Sequence, residues 1–290
     1  MEKESKSKCI SVWPPKIRTL YLGISKLRKT VKKQLKIKVM KNEVLRWKPE
    51  LVKMNDLEFD KNLFVPMPTG KKIDSLLSGE GGLMKGTNFA FIGDPGVGKS
   101  TVMLDILADL HKKGNKVLFI SGEMTSIDMY GYVKRFPKFG DLDILFLGDY
   151  IEKDPIVIMK SVLSEGYDVV LIDSMAEVCT NVVDFHGGTN KNAESKVLNL
   201  LEGHNKGENK SKLNTTFLII QQVTKSGNFA GSNRFKHMLT GMAEMRFVEG
   251  GRCISFSKNR RGGQMDRLFY SLATKDNVQW LHTEAQNAEF

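Results

Sequence analysis

The chain has 290 residues, enough for one full α/β core with an appendage or for two small domains. Apolar residues make up 41% of it and charged residues 27%, which excludes a disordered or collagen-like chain, and it contains no run of 18 uncharged apolar residues that would indicate a membrane span. Its three cysteines, Cys9, Cys179 and Cys253, are too few for a disulfide framework and too far apart for a zinc ribbon, so a cytoplasmic or nucleoid-associated setting is expected.

The formal net charge of +11 lies entirely in the first 50 residues. They hold 15 Lys and Arg against 4 Asp and Glu, which leaves 29 of each sign (44 − 15 and 33 − 4) for the remaining 240. This asymmetry predicts a basic arm for a polyanion, attached to an electrically balanced body. Because the composition shifts near Lys48 and Pro49, we expect an arm over 1–58, a core over 59–275 and a C-terminal tail over 276–290.

The arm contains a predicted amphipathic helix. Pro14 and Pro15 can open it, and basic residues fall between apolar ones that recur every three or four positions. The apolar residues are Leu20, Ile24, Leu27, Val31 and Leu35. Such a helix can lie on nucleic acid, dock on the core or lie on an anionic membrane. We expect nucleic acid and no membrane, with docking on the core as the alternative.

A short apolar strand, a glycine-rich turn and a helical pattern follow one another in TNFAFIGDPGVGKSTVM (87–103). The turn matches G-x-x-x-x-G-K-[ST], the phosphate-binding loop. Its glycines permit backbone angles that turn N–H groups towards a β-phosphate, and the helix adds its positive N-terminal end. Lys99 is expected to bridge the β- and γ-phosphates, and the Ser100 hydroxyl to bind Mg²⁺. The predicted nucleotide-binding residues are Gly93, Asp94, Pro95, Gly96, Val97, Gly98, Lys99, Ser100 and Thr101.

Two further apolar strands end in a carboxylate. DVVLIDS ends in Asp173, and VLFISGEM places Glu123 after a single intervening helix. The carboxyl ends of parallel strands meet at the edge that carries the phosphate loop. We therefore predict that Asp173 is the Mg²⁺-side carboxylate and that Glu123 is the base that orients the attacking water. The alternatives are a helix-capping role for Asp173, and Glu80 or Glu177 as the base.

Further motifs precede and follow the phosphate loop and the two carboxylates. The phosphate loop is preceded by MPTGKKIDSLLSGEGGLMKG (67–86), and the later segments are QQVTKSGNFAGSNRFKHMLTGMAEMRFVEGG (221–251) and SKNRRGG (257–263). From about 64 to 275 the chain resembles the RecA-type ATPases, and most closely the ATPase core of the RadA/Sms family. The segment 221–251 is similar to that family's switch and DNA-loop segment, and SKNRRGG to its lysine-asparagine-arginine-phenylalanine-glycine motif. Both segments are more diagnostic than the phosphate loop.

The resemblance implies a RecA-like α/β fold with a mostly parallel central sheet, ATP and Mg²⁺ as cofactors, and a homo-oligomer, a hexamer or a filament. It implies that Glu123 is the catalytic glutamate and Asp173 the second acidic motif. Gln222 matches the polar residue that senses the γ-phosphate. Lys258 and Arg260 match basic residues that reach into the ATP site of a neighbouring subunit, where a cation stabilises charge on the transferred phosphoryl group. An exposed basic turn is the alternative for these two.

The chain also departs from that family. A four-cysteine zinc module is expected to be missing ahead of the core, as is a Lon-protease-like domain after it. Arg261 stands where the family has phenylalanine, which places the family's DNA coupling at that position in doubt. The chain thus resembles a stripped core with a different arm, a form that suits a phage or a mobile element.

Two segments are candidates for DNA-facing loops. Residues 177–195 follow the Asp173 strand, and residues 224–236 follow the Gln222 strand. The second carries cations and aromatic residues, which fix phosphates and offer stacking faces to a single strand. A plain flexible loop is the alternative. Beyond residue 240, short apolar runs predict antiparallel strands. The predicted DNA-binding residues are Lys225, Arg234 and Lys236.

The resemblance implies a DNA-dependent ATPase that translocates on single-stranded DNA in recombination, branch migration or repair, with a recombinase or a replicative helicase as a possible partner. Three alternatives stay open at this point. One is a replicative helicase of the DnaB type, another is a nucleotide-switched DNA-binding scaffold or loader, and the third is a strand-exchange recombinase of the RecA kind.

Overall fold

The computed structural model describes Pro14, Ile17 and residues 24–34, 51–58, 60–208, 213–223, 229, 231–264 and 266–281. The chain divides into two compact units, Met1–Glu58 and Phe59–Phe290. In the first unit residues 24–34 are helical and Met54–Asp56 form a 3₁₀ helix. Ile24, Leu27 and Val31 of the predicted apolar stripe lie in the helical segment, whereas Leu20 and Leu35 lie outside the described residues.

The described part of the second unit contains nine strands, seven α-helices and several shorter helical turns. The strands are β1 (Asn88–Gly93), β2 (Val117–Ser121), β3 (Asp143–Phe146), β4 (Val169–Asp173), β5 (Thr216–Gln221), β6 (Gly241–Val248), β7 (Gly251–Asn259), β8 (Leu268–Ser271) and β9 (Gln279–Leu281). The α-helices are α1 (Asp74–Leu77), α2 (Lys99–Lys112), α3 (Ser126–Arg135), α4 (Pro155–Leu163), α5 (Met175–His186), α6 (Asn190–Gly203) and α7 (Asn233–Met238). The shorter turns are the 3₁₀ helices Lys61–Phe64, Pro137–Asp141 and Leu147–Tyr150 and a π-helical turn over His204–Glu208.

The strands of the described residues form one sheet in the order β3-β2-β4-β5-β1-β6-β7-β8-β9. The strands from β3 to β6 in this order are parallel, and β6, β7, β8 and β9 pair antiparallel. The register places Asp173 opposite Ser121 and Gly93 opposite Met245. The ends of β1, β2, β4 and β6 therefore meet at one edge. The predicted fold class, α/β with a mostly parallel sheet, is confirmed.

Helices cover both faces of the sheet. Every residue of β1, β2, β4 and β5 is buried, as expected for parallel strands packed on two sides. On one face α2 packs Leu104 and Leu107 against the sheet, and on the other α5 and α6 contribute Val178 and Val197. Each of these large buried side chains stabilises the fold by about 1.5–3 kcal/mol. This packing fixes the position of the edge where β1, β2, β4 and β6 end.

The antiparallel end of the sheet turns at a glycine pair. Gly250 and Gly251 join β6 to β7 with φ of 97° and 129°, a backbone region that suits glycine. Beyond residue 275, where the core was expected to end, Gln279–Leu281 adds β9 to the edge of the sheet. The other predicted domain limits stay predictions. No helix in the described part of the chain is both long and apolar enough to cross a bilayer.

A cluster of four charged side chains ties distant segments to the helix α2. The Lys71 ammonium lies 2.7 Å from Asp105 and 2.6 Å from Asp109, and the Lys138 ammonium lies 2.6 Å and 2.7 Å from the same carboxylates. Asp105 is fully buried and also accepts a hydrogen bond from the Val278 amide at 3.0 Å. Burial alone would lower the pKa of Lys71, but its hydrogen bonds to Asp105 and Asp109 outweigh burial and raise that pKa.

We expect Asp105→Asn to lower the free energy of unfolding by about 3 kcal/mol, because it removes the fully buried carboxylate that neutralises two half-buried lysines. Urea unfolding at pH 7 measures the loss. The control is Glu244→Gln, which removes the partner of Arg246 in an ion pair whose arginine is largely exposed. That pair should contribute about 1 kcal/mol or less. Equal losses in the two variants would contradict a stabilising role for the cluster.

Candidate active site

The phosphate loop joins β1 to α2 in the conformation that its glycines permit. Gly93 comes so close to β6 that a Cβ atom on it would lie 2.1 Å from the carbonyl oxygen of Met245. Gly98 precedes α2 with φ of 98°, and a Cβ atom there would lie 2.4 Å from Leu272 Cδ1. A side chain at Gly93 would push the loop off β6, and one at Gly98 would strain the backbone and displace the Leu272 side chain. The backbone thus forms a cradle ahead of the helix N-terminus.

The Lys99 side chain lies folded over this cradle. Its ammonium donates to the carbonyl oxygens of Gly93 at 2.8 Å and Asp94 at 3.0 Å. Burial lowers the pKa of Lys99, while the charges of Asp173, Asp94 and Glu123 oppose that shift. These acidic neighbours favour the protonated ammonium. A cation is therefore held at the position where a phosphate group would enter the loop.

Ser100 and Asp173 meet beside the loop, as predicted. The Ser100 hydroxyl donates to Asp173 Oδ2 at 2.5 Å, and Asp173 is only 3% exposed. Burial raises the pKa of Asp173 to about 6, the Glu123 charge adds to the shift, and the Ser100 hydrogen bond and the Lys99 charge oppose it. The following helix α5 is capped by the Ser174 side chain. Asp173 is therefore not its N-cap, and the capping alternative is wrong.

One cavity of about 1190 Å³ brings the predicted residues together. Its lining includes Lys99, Ser100, Glu123, Asp173 and Gln222. Glu123 follows β2 with an exposed side chain, and Gln222 directly follows β5. Their side chains line one cavity, and the roles predicted for them stay predictions.

The alternative bases lie elsewhere. Neither Glu80 nor Glu177 is among the described residues that line this cavity. Glu80 lines a separate cavity with residues of the 262–268 segment. Glu177 lies in the first turn of α5, close to Gly122. Glu123 is thus the one of these three carboxylates that shares a cavity with the phosphate loop.

Sequence analysis missed the other walls of the cavity. Tyr132 and Arg135 lie one helical turn apart on α3 and both line it. Burial raises the pKa of Tyr132, and hydrogen bonds to Thr101 and Ser100 oppose the shift. The Arg135 guanidinium donates to the carbonyl oxygen of Leu272. Their spacing of three residues places both on one face of α3, but no pattern in the sequence directs that face towards the phosphate loop.

The end of β8 forms another wall that the sequence did not predict. The Tyr270 hydroxyl donates to the carbonyl oxygen of Val97, within the phosphate loop, at 2.7 Å. Tyr270 is nearly fully buried, and burial raises the pKa of its hydroxyl. A strand from the C-terminal third of the chain therefore supports the loop directly.

Lys258 and Arg260 lie at the end of the sheet opposite the phosphate loop, where the parallel strands begin. Lys258 is paired with Met242 near the start of β6, and the neighbouring Gly241 is paired with Phe89 near the start of β1. The Lys258 ammonium donates to the carbonyl oxygen of Lys236 at 2.7 Å. Burial and the nearby Arg260 charge lower the pKa of Lys258. Neither residue is among the described residues that line the cavity of its own chain.

Two of the three predicted DNA-binding residues lie on α7. The Arg234 guanidinium lies 2.5 Å from Asn199 Oδ1 and 3.6 Å from the Glu202 carboxylate. The Lys236 ammonium lies 5.2 Å from the centre of the Phe229 ring. Lys225, the third, lies outside the described residues. Both described cations are exposed and close to the segment that follows Gln222.

The prediction of a loop over residues 177–195 is wrong. The structure has helix α5 up to His186 and helix α6 from Asn190, with a short turn at Gly187 and Gly188. The polar composition indicated a loop, but the Thr189 side chain caps α6, and apolar residues at helical spacing pack beneath both helices. Only the turn between the helices is left of the predicted segment.

The described residues fit a nucleotide with Mg²⁺. Ser100 and Asp173 supply oxygen ligands, and a cation would favour the charged form of the buried carboxylate. No group of three or more His, Cys, Asp and Glu side chains that could hold a metal occurs among the described residues. Mg²⁺ suits such a sparse set, because it is commonly held by one or two protein oxygens together with substrate phosphates and water.

The fold and this site resemble those of ATPases of the RecA type. A KaiC-like protein from Pyrococcus horikoshii superposes with a TM-score of 0.55 over 75% of this chain and 99% of that chain, at 15% identity. The flagellar accessory protein FlaH from Methanocaldococcus jannaschii superposes with a TM-score of 0.57 over 76% and 100%, at 13% identity. At these identities the comparison establishes the RecA-like fold alone.

Within that class, the predicted resemblance to RadA is confirmed. The chain is 27% identical over 246 residues to the DNA repair protein RadA of Campylobacter jejuni, which covers 82% of this chain and 52% of that protein. It is 29% identical over 210 residues to RadA of Streptococcus pyogenes serotype M1, covering 70% and 43%. The chain thus spans about half the length of these curated relatives. No family model matches it.

Proposed function

We propose that the chain is a DNA-dependent ATPase whose copies assemble into a hexamer or filament and translocate on single-stranded DNA in recombination, branch migration or repair. The observation that carries the proposal is the single cavity in which Lys99, Ser100, Asp173 and Glu123 meet Gln222. The similarity to the DNA repair protein RadA supports the DNA substrate.

Hydrolysis rests on four side chains of this cavity. Lys99 neutralises charge on the phosphates, and Ser100 and Asp173 would hold a metal ion. A bound Mg²⁺ would supply positive charge next to the phosphate oxygens. The Glu123 carboxylate faces the cavity from the end of β2, where it can orient a water molecule and accept its proton. The ammonium already held over the cradle limits the reorganisation that binding requires.

Coupling to DNA rests on the position of Gln222. It follows β5 directly, lines the nucleotide cavity and precedes the 224–236 segment, which carries Lys225, Arg234 and Lys236. A change in the contact between Gln222 and the terminal phosphate would therefore act on the segment that holds the cations. Those cations bind DNA phosphates without reading sequence, as translocation requires.

Assembly rests on Lys258 and Arg260. Both residues lie near the start of the parallel strands, whereas the phosphate loop lies at the strand ends. They therefore do not contact the nucleotide of their own chain. In a ring or filament of head-to-tail copies, one edge of a subunit faces the other edge of its neighbour. The two residues then supply positive charge in trans, and hydrolysis depends on assembly.

The test is ATP turnover with and without single-stranded DNA, alongside sizing with a nonhydrolysable analogue. We expect DNA to stimulate the wild-type chain several-fold and the analogue to drive assembly. Gln222→Ala should still turn over ATP without DNA but lose the stimulation by DNA, because Lys99, Ser100, Asp173 and Glu123 are unchanged while the link to the 224–236 segment is cut. The matched control is Gln264→Ala, an exposed glutamine outside this cavity. Turnover that is indifferent to DNA in the wild type would contradict the proposal.

A further inference from the structure

Arg252 is a cation of the nucleotide cavity that makes no ion pair with any described residue. It is half-buried at the start of β7 and lines the cavity together with Gly96, Gly98 and Lys99. Its Nε atom is buried and lacks a hydrogen-bond acceptor among the described residues. A buried donor left without an acceptor costs about 1–3 kcal/mol. Such a group in a ligand cavity indicates that the ligand supplies the acceptor.

The sheet register directs this side chain towards the phosphate loop. Arg252 is directly paired with Tyr270 across β7 and β8, so the two side chains lie on the same face of the sheet. The Tyr270 hydroxyl donates to the Val97 carbonyl of the phosphate loop. On its other side Arg252 is paired with Phe247, whose ring centre lies 5.2 Å from the guanidinium carbon. The ring helps to hold the cation in place.

The other cations that line the cavity donate hydrogen bonds to carbonyl oxygens of the chain. The Lys99 ammonium donates to the carbonyl oxygens of Gly93 and Asp94, and the Arg135 guanidinium donates to that of Leu272. Among the described residues, no comparable acceptor lies within reach of the Arg252 Nε atom. A guanidinium keeps its charge at any physiological pH and presents a planar set of donors that matches phosphate oxygens. The ligand chemistry that fits Arg252 is therefore an anion of the phosphate type.

We infer that Arg252 binds a phosphate group of the nucleotide held by the phosphate loop of the same chain. It is a cation of the site supplied in cis, in the lining of the same cavity as Lys99 and Glu123. This assignment rests on the proposed nucleotide function, and it adds a phosphate contact from the β6–β7 hairpin that the phosphate-loop motif does not contain. It also explains why the Arg252 Nε atom is buried with no acceptor in the part of the chain that the structure describes.

The test measures the dissociation constants of ATP, ADP and inorganic tripolyphosphate for the full chain at a concentration where sizing finds monomers. We expect Arg252→Gln to weaken all three about tenfold to a hundredfold, the range of one charge-assisted hydrogen bond. Arg252→Lys should recover part of the loss because it restores the charge. The matched control is Arg246→Gln, on the same hairpin but outside the cavity lining and paired with Glu244. It should bind like the wild type.

Three results would overturn the assignment. Wild-type affinity in Arg252→Gln, with binding lost in Lys99→Ala, rejects the Arg252 contact and leaves the nucleotide site standing. A loss confined to ATP and ADP, with tripolyphosphate unaffected, assigns Arg252 to the base or ribose. A loss seen only in the assembled state assigns it to a neighbouring subunit. Unchanged binding in Lys99→Ala would instead reject the nucleotide site itself, and thermal melting of each variant excludes unfolding as the cause.

Discussion

Glu123→Gln is expected to lower the rate of ATP hydrolysis by about a hundredfold to ten-thousandfold, the contribution typical of a general base. Glutamine has nearly the same shape as glutamate, but it cannot take the proton of an attacking water. Glu123 lines the cavity with an exposed side chain, so the substitution leaves no buried group without a partner. ATP affinity should stay close to that of the wild type. Single-turnover hydrolysis and equilibrium binding measure the two quantities separately.

The two carboxylates that the sequence left as rivals provide the controls. Glu177→Gln and Glu80→Gln remove the same charge from places outside the cavity lining. Glu177 is the sharper control, because it lies on the first turn of α5 near Gly122, the residue just before Glu123. Both variants should hydrolyse ATP at rates near that of the wild type. A large loss in Glu177→Gln with full activity in Glu123→Gln would transfer the base to α5.

The sequence predicted those parts of the site that local patterns determine. An apolar strand, a glycine turn and a helix follow one another around Gly93–Ser100, and each agrees with the others. Asp173 and Glu123 could be placed because a parallel sheet brings strand ends to one edge, whatever their distance along the chain. Ser100 and Asp173 are 73 residues apart, and this rule alone predicts that they lie close together, as their hydrogen bond shows.

The rest of the cavity depends on pairing that no local pattern specifies. Tyr270 reaches Val97 only because β8 pairs with β7, and Arg252 faces the loop only because of its register with Tyr270. A shift of one residue would turn both side chains to the other face. The charged cluster around Asp105 likewise joins segments far apart in the chain. These features could not be predicted from composition or periodicity.

Composition misled the prediction for residues 177–195. Glycine, asparagine and threonine are common in loops, and here they also supply what helix ends need. Thr189 caps α6, and Gly187 ends α5 with φ of 69°. The apolar residues Val182 and Val197 pack under the two helices. The burial of these side chains outweighed the weak helix propensity of their polar neighbours.

Asp173→Asn is expected to make the nucleotide-free protein more stable and to abolish hydrolysis. The pKa of Asp173 is raised to about 6 in the folded protein, against about 3.9 in an unfolded chain. At pH 8 the carboxylate is ionised in both states, and its burial opposes folding by about 3 kcal/mol. Asparagine removes that charge and still accepts a hydrogen bond from Ser100. Because the amide is a poorer metal ligand than the carboxylate, turnover should fall by more than about a hundredfold.

The pH dependence separates this explanation from a general gain in packing. A group whose pKa is raised on folding destabilises the native state above its folded pKa, and that effect disappears as the group is protonated. The advantage of Asp173→Asn in urea unfolding should therefore be greatest above pH 6, shrink as the pH falls from about 6 to about 4, and be lost below that range. The control is Asp168→Asn, just before β4, where Asp168 pairs with Lys85 at 3.3 Å and should give no gain. An advantage of equal size at every pH would contradict the charge argument. The Asp173 carboxylate destabilises the folded protein when no nucleotide is bound, and it is also the group proposed to hold Mg²⁺. ATP with Mg²⁺ should therefore raise the melting temperature of the wild type more than that of Asp173→Asn.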